Sequence, residues 1–337
     1  MTSASPLPCS IQAACGGCSE MHRSADAQLE RKRAAVERAV GRAVDAVVPS
    51  PRALGYRARV SLQPGPDGRL GYHRPRSHAH VAVPRCAIAR PEINDALGAL
   101  AEVDWRPVRR LELRSDGQAV VLSALSGRDR RAARALCQRL PLPTALDGRP
   151  VVGDPTVRLE VAGIRHALSP ASFYQVNLEL NALLVERVGA LIRALEPAAV
   201  LDLYAGAGNL SLPLAATGVQ VTLLESEGSA IRDAERTVAE HGLLATIRRG
   251  DAGKLAPGDH FFDVALLDPP RAGAPGVLRA LTATRPRAIL YVSCNPQTLA
   301  RDLRSIQGQG YGITRLEALD MFPQTPHVEA LCLLQRG

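Results

Sequence analysis

From residue 199 onward the apolar and polar positions follow two alternating rhythms. Unbroken apolar runs, AVLDLYAG at 199–206, VQVTLLE at 219–225, FDVALLDPP at 262–270 and AILYVSC at 288–294, read as buried strands. Segments of helical spacing follow them, starting near Leu210 and Ser229 and again after the DPP and SC runs, with a shorter strand near ATIRRGDA at 245–252. Strands alternating with helices of this length predict a parallel sheet covered by helices on both faces. Near the C-terminus ALCLL, 330–334, predicts one more strand, and RRAARALCQRL, 130–140, an amphipathic helix.

A sheet of this kind binds ligands at the carboxyl ends of its strands. The chemistry-bearing residues fall there. Asp202 precedes YAGAGN, 204–209, whose Gly206 and Gly208 permit a tight turn and close approach of a ligand. Glu225 ends the second strand, 23 residues after Asp202, where an acid accepts hydrogen bonds from ribose hydroxyls. That pair fits a nicotinamide dinucleotide or S-adenosylmethionine. The missing third glycine, and Asp251 placed to meet an adenine amino group, favour S-adenosylmethionine. Asp268, before two prolines, holds a carboxylate and Arg271 on a rigid extended loop. Cys294 ends the fifth strand just before Asn295-Pro296, which makes it a candidate nucleophile on the same rim. Glu329 enters the last strand within reach as a general base, and Cys332 inside that strand is core.

Charge separates the two halves of the 337-residue chain. Residues 1–165 contain 26 Lys/Arg against 16 Asp/Glu, and residues 166–337 contain 15 against 17. Between Arg52 and Arg90 eight arginines, three histidines and two tyrosines accompany the single acid Asp67. Such a stretch suits a polyanion, with Tyr56 and Tyr72 as stacking partners, and points to nucleic acid. No uninterrupted apolar run reaches membrane-spanning length and the first residues lack the order of a signal peptide, so a cytoplasmic protein is expected.

Seven cysteines in such a chain argue against a disulfide framework. Cys9, Cys15 and Cys18 are spaced C-x5-C-x2-C around Gly16 and Gly17, and Cys86, between Pro84 and Pro91, is the best fourth ligand. Cys137 competes but lies on the amphipathic helix, where a thiol is ordinary core. Four thiolates fit structural zinc or an iron–sulfur cluster, and spacing alone does not separate them.

CGGC, GYRARV (55–60), SFYQVN (172–177), LDLYAGAGNLSLPLA (201–215), LDPPRAG, YVSCNPQTLARDL and DMFPQTPHVE, in this order, resemble the iron–sulfur-containing RNA uracil-5 methyltransferases that modify ribosomal RNA, and their transfer-RNA relatives. The resemblance implies an α/β fold: a Rossmann-like class I methyltransferase domain with a mostly parallel seven-stranded sheet, plus a smaller α+β cluster-bearing RNA-binding domain. It implies a weaving chain, with residues 1–19 and 51–165 in the RNA-binding domain and 20–50 and 166–337 in the catalytic one, joined by the helix ADAQLERKRAAVERAV. Gln175, Tyr204, Asn209, Glu225, Asp251 and Asp268 match the cofactor positions, Cys294 the nucleophile and Glu329 the base. Cys9, Cys15, Cys18 and Cys86 match the ligands of a 4Fe-4S cluster. The expected substrate is a loop or single-stranded uridine of 23S rRNA, and the expected state a monomer. The cysteines begin at residue 9, so a short form without the N-terminal β-barrel of some relatives is expected. Alternatives are a transfer-RNA uracil-5 or RNA cytosine-5 methyltransferase, a radical enzyme, which a fourth ligand at Cys86 disfavours, and a non-catalytic RNA-binding assembly factor.

Overall fold

The computed structural model describes residues 9–254 and 262–337. Its larger sheet has eight strands. Ala199–Leu203 lies inside it, with Gln220–Glu225 and then Ala245–Arg249 on one side; on the other come Val264–Leu267, Ala288–Ser293, Glu329–Arg336, Tyr311–Leu319 and Ala46–Val48. All neighbours run parallel except Glu329–Arg336, which is antiparallel to both of its partners. Chain order reverses between Ala199–Leu203 and Val264–Leu267, so the crevice above those two strand ends is the topological switch point.

The seven strands expected are joined by an eighth, Ala46–Val48, from the N-terminal segment. Helix Ala25–Val40 delivers it. Ser24 caps that helix by accepting from the Ala27 amide, and Gly41, at φ 76°, closes it in the left-handed region. Its Val36 is buried in one core with Leu201, Leu203 and Leu299. The helix read from Leu210 is a single turn, Leu212–Ala215, because Thr217 and Gly218 turn the chain straight into the next strand.

A second sheet of seven strands orders His80–Ala82, Leu70–His73, Arg59–Pro64, Val108–Ser115, Val120–Ser126, Thr144–Leu146 and Arg149–Val152. Helices Pro91–Ala99 and Arg130–Cys137 pack on it around Trp105, and Cys137 belongs to that core. A separate hairpin, Val157–Val161 with Ile164–Leu168, lies against helix Gly228–His241. Asp233 of that helix accepts from the Ser169 amide and hydroxyl, each at 2.8 Å, just past the hairpin. Ala58, Val121, Leu159, Leu168, Tyr174 and Ala207 form the apolar seam between the two sheets. No described helix is long and apolar enough to cross a membrane.

Candidate active site

A cavity of about 440 Å³ opens at the switch point. Gln175, Tyr204 and Asn209 line it together with Asp202, Asp268, Arg271, Cys294 and Glu329. Each strand end contributes as the alternation of strand and helix predicts: Tyr204 follows Ala199–Leu203, Asp268 follows Val264–Leu267, and Cys294 follows Ala288–Ser293.

Local sequence sets these positions. Tyr204, without glycine's freedom, stands at φ 59°, a strained left-handed turn of the kind that collects at ligand sites. Two residues on, a Cβ on Gly206 would meet nothing within 4 Å, so its backbone faces open space. A Cβ on Gly208, by contrast, would come within 2.5 Å of Leu212, and the turn therefore requires glycine there. Asn209 is fixed by reciprocal amide bonds of 2.9 Å with Asn181. Asn295 caps helix Pro296–Arg304 by accepting from the Gln297 amide, which leaves Cys294 alone between the strand end at Ser293 and the helix cap.

Glu225 and Asp251 are not on the cavity wall. Glu225 accepts from the amides of Gly206 at 2.9 Å, Ser226 at 2.6 Å and Glu227 at 2.7 Å, so it braces the glycine turn from behind. Asp251 is exposed and accepts from the Gly253 amide at 2.9 Å. It faces Tyr204 closely enough that its charge, after burial, helps to raise the tyrosine's pKa.

The electrostatics favour proton retention in the free site. Burial raises Asp268, and burial and then Asp268 push Glu329 well above the usual carboxylate range. Asp202 rises to about 8, chiefly through burial, with Asp268 and Glu225 adding to it. Burial, then the charges of Glu329 and Asp268, raise the Cys294 thiol to about 11, against a smaller opposing pull from Arg271. One oxygen of Asp202 and one of Glu329 are buried without a hydrogen-bond partner. Carboxylates left in this condition call for a cation or a donor from a ligand.

Cys9, Cys15, Cys18 and Cys86 are free and half-buried at the other side of the catalytic loops. Cys9, Cys18 and Cys86 pack around Met21, Tyr56 and Ile88. Burial, then Cys86, Cys15 and Cys9, push the Cys18 thiol up to about 12, so the Cys18 sulfur lies near the other three. Among the described residues no three His, Cys, Asp or Glu side chains are gathered closely enough to bind one metal ion.

Tyr56, read from sequence as a stacking partner, is fully buried and unavailable for stacking. The exposed aromatic on the cavity wall is Phe173, 59% exposed, with the Arg59 guanidinium 4.8 Å from its ring centre. Sequence reasoning passed over Phe173 and the buried His166 on the same wall, and it named Asp202 without the orphaned buried oxygen that the structure shows there. Neither Phe173 nor His166 carried a signal in the sequence. In the basic stretch, Arg74, Arg76 and Arg85 are exposed and make no ion pair among the described residues, while Arg90 is held by Glu92 and Glu179.

Comparison with known proteins bears on this site. A family model described as tRNA (uracil-5-)-methyltransferase matches residues 252–337, and one for a methyltransferase domain matches 200–270. The 23S rRNA (uracil(1939)-C(5))-methyltransferase RlmD of Klebsiella pneumoniae is 34% identical over 346 residues, covering 96% of this chain and 80% of that one. The chain belongs to the RNA uracil-C5 methyltransferase family. Its methyl donor is S-adenosylmethionine. RlmD of Edwardsiella ictaluri is 33% identical, over 97% of this chain and 81% of its own. The tRNA (uracil-54, C5)-methyltransferase of Pyrococcus abyssi, solved with S-adenosyl-L-homocysteine, superposes with a TM-score of 0.79 at 27% identity, over 99% of this chain and 88% of that one. The class I methyltransferase fold and the RNA uracil-5 methyltransferase family read from the motifs are both borne out.

Proposed function

We propose that this enzyme methylates carbon 5 of a uridine in 23S rRNA, with Cys294 as covalent nucleophile and Glu329 as base. The observation that carries this reading is the meeting of Cys294, Asp268 and Glu329 on one cavity wall beside the glycine turn. The ribosomal target follows the RlmD relatives; a transfer-RNA uridine, as in the Pyrococcus abyssi enzyme, is the second reading.

Gln175, Tyr204, Asn209 and Asp268 on the cavity wall hold the methyl donor, with Glu225 and Asp251, at the neighbouring strand ends outside that wall, reaching its nucleoside end. Bound there, the donor supplies an electrophilic methyl group and a positive sulfonium charge. A positive charge bound in this cavity would favour the ionised forms of Asp202, Asp268 and Glu329 and would itself ease loss of the Cys294 proton. The Cys294 thiolate adds to carbon 6 of uracil, and the electrons of the 5,6 double bond move to make carbon 5 an enolate carbon. Carbon 5 takes the methyl group and S-adenosylhomocysteine departs. Glu329 accepts the proton from carbon 5, the double bond re-forms, and the Cys294 sulfur leaves carbon 6. A base inside a stack cannot reach this wall, so the uridine is flipped or sits in a loop.

Cys9, Cys15, Cys18 and Cys86 hold a 4Fe-4S cluster of structural role. The nearness of Cys86, Cys15 and Cys9 to Cys18 supports a shared thiolate site, and the resemblance to iron–sulfur-containing relatives supports a cluster over lone zinc. Residues 1–19 and 51–165 form the RNA-facing unit and 20–50 with 166–337 the catalytic unit, with the hairpin Val157–Leu168 at the seam. Arg74, Arg76 and Arg85 provide phosphate contacts. The enzyme works as a monomer in the cytoplasm.

Incubation with 23S rRNA and tRNA transcripts and labelled S-adenosylmethionine, with products mapped by mass spectrometry, tests the reading. 5-Methyluridine at one rRNA position is expected. Its absence from every rRNA and tRNA, or label appearing in 5-methylcytidine, overturns it.

A further inference from the structure

Glu329 is buried, and no side-chain hydrogen bond holds its carboxyl among the described residues. Its aim is therefore set by its backbone, which enters the last strand directly from the loop Asp320–Val328. Three consecutive carbonyls of that loop are each taken by a different donor. Lys32 Nζ donates to Phe322 at 2.9 Å, the Tyr56 hydroxyl to Pro323 at 3.1 Å, and the Glu20 amide to Gln324 at 2.9 Å. Gln324 stands at φ 68°, a strained conformation for a non-glycine residue that persists only when its surroundings enforce it. Within the loop, the Thr325 hydroxyl donates to the Phe322 carbonyl at 2.8 Å, the His327 amide to the Thr325 hydroxyl at 3.3 Å, and the Phe322 and His327 rings meet edge to face. Glu329 pairs with Leu319 at the very end of its strand, so the loop is what meets its backbone on the other side, and Phe322 and Glu329 both line the cavity.

Two of the three donors come from the cysteine-bearing segments. Glu20 follows Cys18 by two residues, and Tyr56 is fully buried in the apolar cluster that packs on Cys9, Cys18 and Cys86. We propose that Tyr56 is a positioning residue for the proton-removal step: its hydroxyl fixes the Pro323 carbonyl and, through this loop, the aim of Glu329. The fold of the cysteine segment is thereby read out at the catalytic base. This inference rests on the assignment of Glu329 as base.

Tyr56→Phe keeps the ring and removes the donor. Misaim of a catalytic group lowers turnover steeply, so a fall in kcat of about tenfold is expected, with KM for RNA and for S-adenosylmethionine unchanged. Because the adduct breaks down only after proton removal, Tyr56→Phe is also expected to accumulate a denaturation-resistant enzyme–RNA adduct. Glu329→Gln is the control and accumulates the same adduct. Thermal melting and calorimetric binding of S-adenosylmethionine confirm that the variant is folded. Wild-type kcat in Tyr56→Phe, or a fall in kcat without adduct while Glu329→Gln does accumulate it, overturns the inference. No adduct in Glu329→Gln itself overturns the assignment of the base, and the inference falls with it.

Discussion

Lys32 and Asp320, 288 residues apart, form a buried ion pair between helix Ala25–Val40 and the loop before the catalytic base. The Lys32 side chain is 2% exposed and that of Asp320 10%. Helix and loop are also stitched by Gln28 and Gln324, which exchange bonds of 3.1 and 2.8 Å. Removing one partner of a buried pair leaves the other charge uncompensated. Asp320→Asn is expected to cost about 3–5 kcal/mol in urea unfolding. A loss below about 1 kcal/mol, the range of an exposed pair, contradicts the burial described.

The free site disfavours the carboxylate form of Asp202. Its folded pKa is raised to about 8, so between about pH 4 and pH 8 the folded chain keeps a proton that the unfolded chain has lost. The stability from this group is full below about pH 4 and declines as pH rises towards 8. Asp202→Asn should therefore be the more stable protein at pH 7.5, by about 2 kcal/mol, with the gap shrinking towards pH 4.5. It should also bind S-adenosylmethionine more weakly. Urea melts at the two pH values check the first point, and calorimetry the second.

The buried thiol gives a kinetic signature. With Cys294 raised to about 11, its alkylation by iodoacetamide in the free enzyme should be slow at pH 7.5 and climb about tenfold per pH unit. Asp268→Asn should speed it at fixed pH. Peptide mapping of Cys294 reads the rate, and a plateau below pH 8 contradicts the environment assigned to it.

The cysteine site is tested by composition. Anaerobically purified protein should carry about four irons per chain with matching sulfide. Cys18→Ser and Cys86→Ser should lose them, and Cys137→Ser, in the core of the second sheet, should keep them. One bound zinc in place of iron contradicts the cluster.

The rim of the site was legible because a parallel sheet puts its ligand residues after apolar runs, and Asp268, Arg271 and Cys294 stand there in plain order. Gln175 could be found only through motif resemblance, since no local periodicity marks it, whereas Glu329 was legible from its place at the start of the last apolar strand. Tyr56 was misread because the alternation in GYRARV, set among arginines, does not say which face is inward; the structure turns the tyrosine into the apolar cluster around the cysteines. Ala46–Val48, at three residues, is too short for a strand pattern to register, and its pairing with Tyr311–Leu319 is purely tertiary. Phe173 carried no signal because exposure at a cavity mouth depends on both sheets meeting there.

The covalent role of Cys294 is the central claim, and an rRNA transcript containing 5-fluorouridine tests it most directly. Fluorine at carbon 5 cannot leave as a proton does, so the methylated adduct cannot eliminate the thiolate. With S-adenosylmethionine present, mass spectrometry should find the nucleotide attached to the peptide carrying Cys294, and no adduct in Cys294→Ala. Attachment at another cysteine, or methylation of ordinary rRNA retained by Cys294→Ala, would contradict the account.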